Sequence, residues 1–137
     1  MLTSDDLGKL VLRLSLGIFI LLHGVNKLFD ISGTVGWMSS VLQSHHLPGF
    51  IAYGVFVGEV IAPIMLILGI YSRIGGLIIA VNMIFAVLLV HTSELLVLGS
   101  SGGWALELQG TFFFMALVIF LIGGGRYALK GDGLFFK

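Results

Sequence analysis

The sequence predicts an all-α integral membrane protein, a four-transmembrane-helix up-down bundle with a short interfacial helix in its first outer loop. Three observations carry that reading. The 137 residues are 58% hydrophobic and only 10% charged, with a mean hydropathy of +1.12, whereas soluble domains hold roughly 25% charged residues. The apolar stretches are long enough to cross a bilayer, which takes about 20 helical residues. Glycine supplies 20 residues, a composition that lets helices approach closely in lipid. The stretches are read as helices because an unclosed strand leaves its backbone unsatisfied in hydrocarbon. The chain also lacks the alternating pattern of an outer-membrane barrel.

The elements follow in order. Span one covers about 10–29, behind Ser4 or Asp5 as N-cap, with acids at the positive end of the helix dipole. It is expected to be retained, because Lys9 is offset by Asp5 and Asp6 and no small-residue cleavage site follows. The outer loop from Asp30 to Gly49 holds Val35, Met38, Val41 and Leu42 at helical spacing beside Trp37. That spacing predicts the interfacial helix, ended near Leu47-Pro48-Gly49. Spans two and three, about 50–71 and 74–91, meet in a tight turn around Ser72-Arg73 and so are antiparallel neighbours. Span three is free of charge between Arg73 and Glu94. Residues 99–103 are Gly-rich but lack the Gly-Lys-Ser/Thr of a phosphate loop, so a turn is expected there. Span four, about 104–122, completes a single domain over 1–137. Lys9, Arg13, Arg73, Arg126, Lys130 and Lys137 fall on the side of the termini and Lys27 alone on the other. That asymmetry places both termini in the cytoplasm.

Composition narrows the chemistry. Seven basic and seven acidic side chains give zero net charge, so no cationic surplus exists for a nucleic-acid backbone. The absence of cysteine rules out disulfides, thiol nucleophiles and thiolate-held metals. No H-x₃-H or ExxH spacing occurs, and no metal site is expected. Neither a Ser-His-Asp order nor a dinucleotide fingerprint is present.

The informative residues are the ionisable ones inside the spans. His23 and Lys27 are four apart and share a helix face. Glu59 lies nine residues into span two, roughly 13 Å deep at about 1.5 Å per residue. Glu107 opens span four and His91 closes span three. All five fall in the outer half and form the candidate ligand-binding set. A carboxylate in hydrocarbon costs several kcal/mol, so Glu59 must face the interior, a cavity or a cation, and Lys27 is its natural partner. Arg13 is expected to snorkel to the surface. Asn82 is nine residues from His91, on the opposite helix face, so the two should not line one pocket. Gly54, Gly58 and Ala62 form a ridge of small residues at four-residue spacing. Pro63 leaves the carbonyl of Glu59 without its helical donor and predicts a kink at the acid.

Taken together these residues resemble the DoxX family. The resemblance runs from about Lys9 to Asp132. It rests on Arg13-Leu14-Ser15-Leu16-Gly17, His23-Gly24-Val25-Asn26-Lys27-Leu28, and Glu59 with Pro63. Leu68-Gly69-Ile70-Tyr71-Ser72-Arg73 and Gly123-Gly124-Gly125-Arg126-Tyr127-Ala128-Leu129 complete it. One departure is Lys130, where the family usually has Asp; here Asp132 follows two residues on. The resemblance implies a four-helix protein of the bacterial cytoplasmic membrane. Its relatives are linked to quinone-dependent oxidation of sulfur compounds and to complexes that resist oxidative stress. The expected function is a redox-linked, quinone-interacting subunit of a membrane oxidoreductase complex, with no tightly bound cofactor. His23 and Lys27 would donate to the quinone carbonyls, and Glu59 or Glu107 would exchange protons. Electrons would come from a redox partner protein or a reduced small molecule, and the chain could form a homo-oligomer in the lipid bilayer. Two alternatives stand beside it. A membrane anchor or scaffold for a partner enzyme would use the tail from Arg126 to Lys137, with Phe135 and Phe136. A small-molecule transporter would use the kink at Glu59.

Overall fold

The computed structural model describes residues 3–129, and their regular structure is mainly helical, with an isolated bridge between Leu98 and Trp104. The expected tail contacts of Lys130, Asp132, Phe135 and Phe136 lie outside the described residues.

Helix α1 spans Ser4–Leu28. Its N-cap is Thr3, one residue before the expected Ser4 or Asp5. The extended backbone of Thr3 lets its hydroxyl accept the Asp6 N–H at 3.0 Å. Helix α2, Ile31–Ser44, begins where the Asp30 carboxylate accepts the Gly33 N–H at 3.0 Å. Helix α3, Gly49–Leu68, is composite. It opens as a 3₁₀ turn over Gly49–Tyr53 and widens to a π turn over Val57–Ile61. It is regular over Ala62–Leu68. Pro63 explains the π turn: it has no N–H for the Glu59 carbonyl, and the Ala62 N–H reaches back to Val57 instead. The expected kink thus takes the form of a widened turn. Helix α4 covers Ser72–Val90 and α5 covers Glu107–Ile122.

Helices α1, α3 and α4 are long and apolar enough to cross a membrane. Helix α5 has 16 residues, fewer than the about 20 a full crossing takes. It starts later than expected because Trp104 is held in the preceding loop, its indole N–H donating to the Leu95 carbonyl at 2.9 Å.

The core joins Leu16 and Ile20 of α1, Ala62 and Leu66 of α3, Ile79 of α4, and Ala116 and Ile119 of α5. Two glycines let α1 lie close against α3. A Cβ on Gly24 would strike the Glu59 carbonyl oxygen, and one on Gly17 would come within 2.8 Å of the Ile67 side chain. The expected small-residue ridge holds only in part. A Cβ on Gly58 would lie 2.5 Å from the Asn82 side chain, and Ala62 is fully buried, but a Cβ on Gly54 would meet nothing within 4 Å. The π turn interrupts the four-residue repeat and carries Gly54 off the ridge.

One end of the bundle is sealed by arginines. Arg13 does not snorkel; it is 1% exposed. Its guanidinium donates to the Leu66 carbonyl at 3.0 Å and the Tyr127 carbonyl at 3.3 Å. Arg73 donates to the carbonyls of Phe120 at 3.0 Å and Leu121 at 2.8 Å. These carbonyls belong to the last turns of α3 and α5 and the segment beyond, where helical donors run out. Each helix ends in a glycine of positive φ, Gly69 at +73° and Gly123 at +83°, seated against Arg13 and Arg73 respectively. The Arg126 N–H donates to Asp6 at 3.1 Å and ties this end to the first turn of α1.

Candidate functional site

The opposite end is hollow. A cavity of about 650 Å³ is lined by all five helices. Most of its wall is aliphatic or aromatic, including Ile20, Leu42, Val55 and Phe112. Into this wall α1 delivers His23 and Lys27, α3 delivers Glu59, and α4 delivers Asn82. Trp37 and Met38 of α2 line the cavity too.

Lys27 and Glu59 form an ion pair, with Nζ 2.5 Å from Oε1. Glu59 sits in the π turn and is 7% exposed. A carboxylate at this depth needs a cation, and the single turn between Gly24 and Lys27 brings one. Gly24 lets α1 touch the backbone of Glu59, and Lys27, less than a turn later, reaches its side chain. An ammonium has three donors, so Lys27 keeps two beyond this contact. Neither the His23 imidazole nor the Asn82 amide hydrogen-bonds another described residue. His23 is exposed and meets Phe112 edge-on, with ring centroids 6.0 Å apart.

Four of the five sequence-derived candidates therefore border one space: His23, Lys27, Glu59 and His91. His91 stands at the rim, its Nδ1 3.2 Å from Glu94 Oε1. Glu107 is not among them; it is exposed in the first turn of α5, beside Gly103. The expectation that Asn82 and His91 could not share a pocket is corrected, because both line the cavity. His91 is the cap of α4, with φ −117° and ψ 18°, so helical spacing no longer fixes its direction. Asn82 is the residue that sequence reasoning set aside. The signal was its place as the one amide in an apolar span, next to the level of Gly58. Among the described residues no group of three or more His, Asp and Glu side chains is arranged to hold a metal ion.

Fold and site define an all-helical membrane protein with an ion-paired, mostly apolar cavity between its helices. The DoxX family profile matches residues 8–92, which run from α1 through α4 and include Lys27, Glu59 and Asn82. The chain belongs to the DoxX family. It is also similar to the protein named "Putative oxidoreductase CatD" from Bacillus subtilis (strain 168), with 32% identity over 87 residues. That stretch covers 64% of this chain and 62% of the relative's length. No solved structure matches.

Proposed function

We propose that this protein is a quinone-interacting, redox-linked subunit of a membrane oxidoreductase complex, and that the cavity is its quinone site. One observation carries the reading: a mostly apolar cavity of about 650 Å³ whose wall holds the Lys27–Glu59 ion pair, His91 and Gln109, together with His23 and Asn82, which hydrogen-bond no other described residue. Small-molecule sites have this make-up, apolar walls with a few convergent polar groups. An unpaired amide inside a helical bundle in lipid is costly unless it meets a ligand or water. The residues fit a quinone. Lys27 and Asn82 hold donors for a carbonyl oxygen, and Glu59 and His23 can hold or pass protons at its edge. A bound quinone would supply two-electron redox chemistry. Its electrons come from a partner protein or a reduced small molecule, in keeping with the oxidoreductase name of the Bacillus relative.

The same reading takes the chain as one domain over 1–137 in the bacterial cytoplasmic membrane. Helices α1, α3, α4 and α5 are its four up-down spans, α2 lies in the outer interface, and both termini are cytoplasmic. The shortness of α5 is met by local thinning of the bilayer. Reporter tags at either terminus should read cytoplasm and tags near Ser44 or Ser100 the outside. An outer C-terminus would mean that α5 does not cross.

Quinone binding is tested on the purified protein, by organic extraction and by quenching of Trp37, which lines the cavity. The expected result is saturable quenching by an added benzoquinone, lost in Lys27→Met and weakened in Asn82→Leu. No extracted quinone together with no saturable quenching would refute the site.

A further inference from the structure

The cavity is open on one flank. On α4, Leu77, Val81 and Phe85 recur at four-residue spacing, line the cavity, and are 44%, 43% and 45% exposed. Opposite them on α3, Gly54 and Val57 also line it; Val57 is 41% exposed and the space beside Gly54 is empty. The reason is local. Where α4 meets α3, it does so over Val57 to Leu68, with Asn82 wedged on Gly58. Before the π turn, α3 no longer follows it. A slit results, with walls that carry only apolar side chains and whose backbone is satisfied within helices, so hydrocarbon can fill it without penalty.

The polar wall inside limits what the slit admits. Lys27 is matched by Glu59, so the pair carries no net charge. A phosphate head would need unmatched cations, whereas the wall beside the pair offers the Asn82 amide and the His23 imidazole as hydrogen-bonding groups.

We infer that the ligand enters sideways from the bilayer through this slit and carries a long hydrocarbon tail. Its neutral ring lies by Lys27, Glu59 and Asn82. Its tail leaves between α3 and α4, past Val57 and Val81, into the acyl chains. This rests on the quinone reading above and adds the route and the tail. The cavity need not be open to water for the ligand to exchange.

The test uses the full chain in lipid nanodiscs with Trp104→Phe, so that Trp37 alone reports. Two probes are titrated at one lipid concentration: a decyl-tailed benzoquinone and the same ring without the tail. Gly54→Phe and Val81→Phe narrow the slit and leave the polar wall untouched. The wild type should bind the tailed probe more tightly. Each variant should weaken it by about tenfold, or 1.4 kcal/mol, and leave the tail-less probe within about twofold. Melting temperatures show whether each variant is folded; if Gly54→Phe is not, Val81→Phe decides. Equal effects on both probes, or no preference for the tail in the wild type, would overturn sideways entry while leaving the quinone site standing. Saturable quenching by neither probe in the wild type would overturn both.

Discussion

The two ends of this bundle use their charges in opposite ways. At the sealed end Arg13 and Arg73 have no carboxylate partner among the described residues; their guanidinium groups are spent on backbone carbonyls at the ends of α3 and α5. At the hollow end Lys27 and Glu59 are spent on each other, and a cavity lies alongside. A guanidinium suits the first task, because its planar fork can satisfy two carbonyls at once and neutralise a helix terminus. An ammonium suits the second, because it retains donors after pairing. The sealed end therefore fixes where helices stop, and the hollow end keeps hydrogen-bonding capacity in reserve. Glycine repeats the lesson. At Gly69 and Gly123 it is demanded by positive φ beside a guanidinium, and at Gly54 it leaves room.

Substitutions at the two ends test the contrast, beginning with the largest effect. Lys27→Met strands the Glu59 carboxylate and should cost about 3–5 kcal/mol of stability. Glu59→Gln should cost about 1 kcal/mol or less, because Lys27 is partly exposed and its long side chain can turn toward the interface. The double substitution should regain much of the stability of Lys27→Met, yet fail to bind quinone. Strictly additive losses in both melting and binding would show that the two residues do not interact, and the hollow end would lose its centre. Next comes Gly69→Ala, where a left-handed backbone strains any side chain by about 1–2 kcal/mol and the added methyl meets Arg13 and Ala128. Its melting temperature should fall while quinone affinity stays unchanged. The same exchange at Gly54 is the smallest effect. Alanine there should be neutral or stabilising by up to about 0.5–1 kcal/mol, the gain of Ala over Gly within a helix. A loss at Gly54 equal to that at Gly69 would erase the distinction between the ends.

Much of this was legible before the structure. The uncharged run after Arg73 located α4, Pro63 marked the irregular turn inside α3, and the depth of Glu59 called for the interior, a cavity or a cation, with Lys27 as its natural partner. Residues whose place depends on local helical period were legible as long as the period held. Asn82, His91 and Gly54 were misplaced because a cap and a π turn break that period. Arg13 was misread because snorkelling was weighed against water alone. Once α3 ends at Gly69, uncapped carbonyls offer a nearer partner than the surface. Glu107 looked like a member of the polar set by depth, but depth says nothing about azimuth, and it is exposed outside the cavity.

The π turn has a consequence for how such a chain can change. It contains one residue more than an ordinary helical turn, and each residue advances a helix by about 100°. Relative to the straight continuation of Ala62–Leu68, everything earlier in α3 is dialled round by that angle. Excising one residue from Val57–Ile61 and exchanging Pro63 for a residue with an N–H would restore an unbroken spiral and swing Gly54 off the slit, although no contact of Leu66 or Ile79 need alter. The opening is thus encoded in chain length together with Pro63, more than in the side chains that line it. Across relatives, single-residue insertions and deletions in this stretch are where the doorway would be gained or lost.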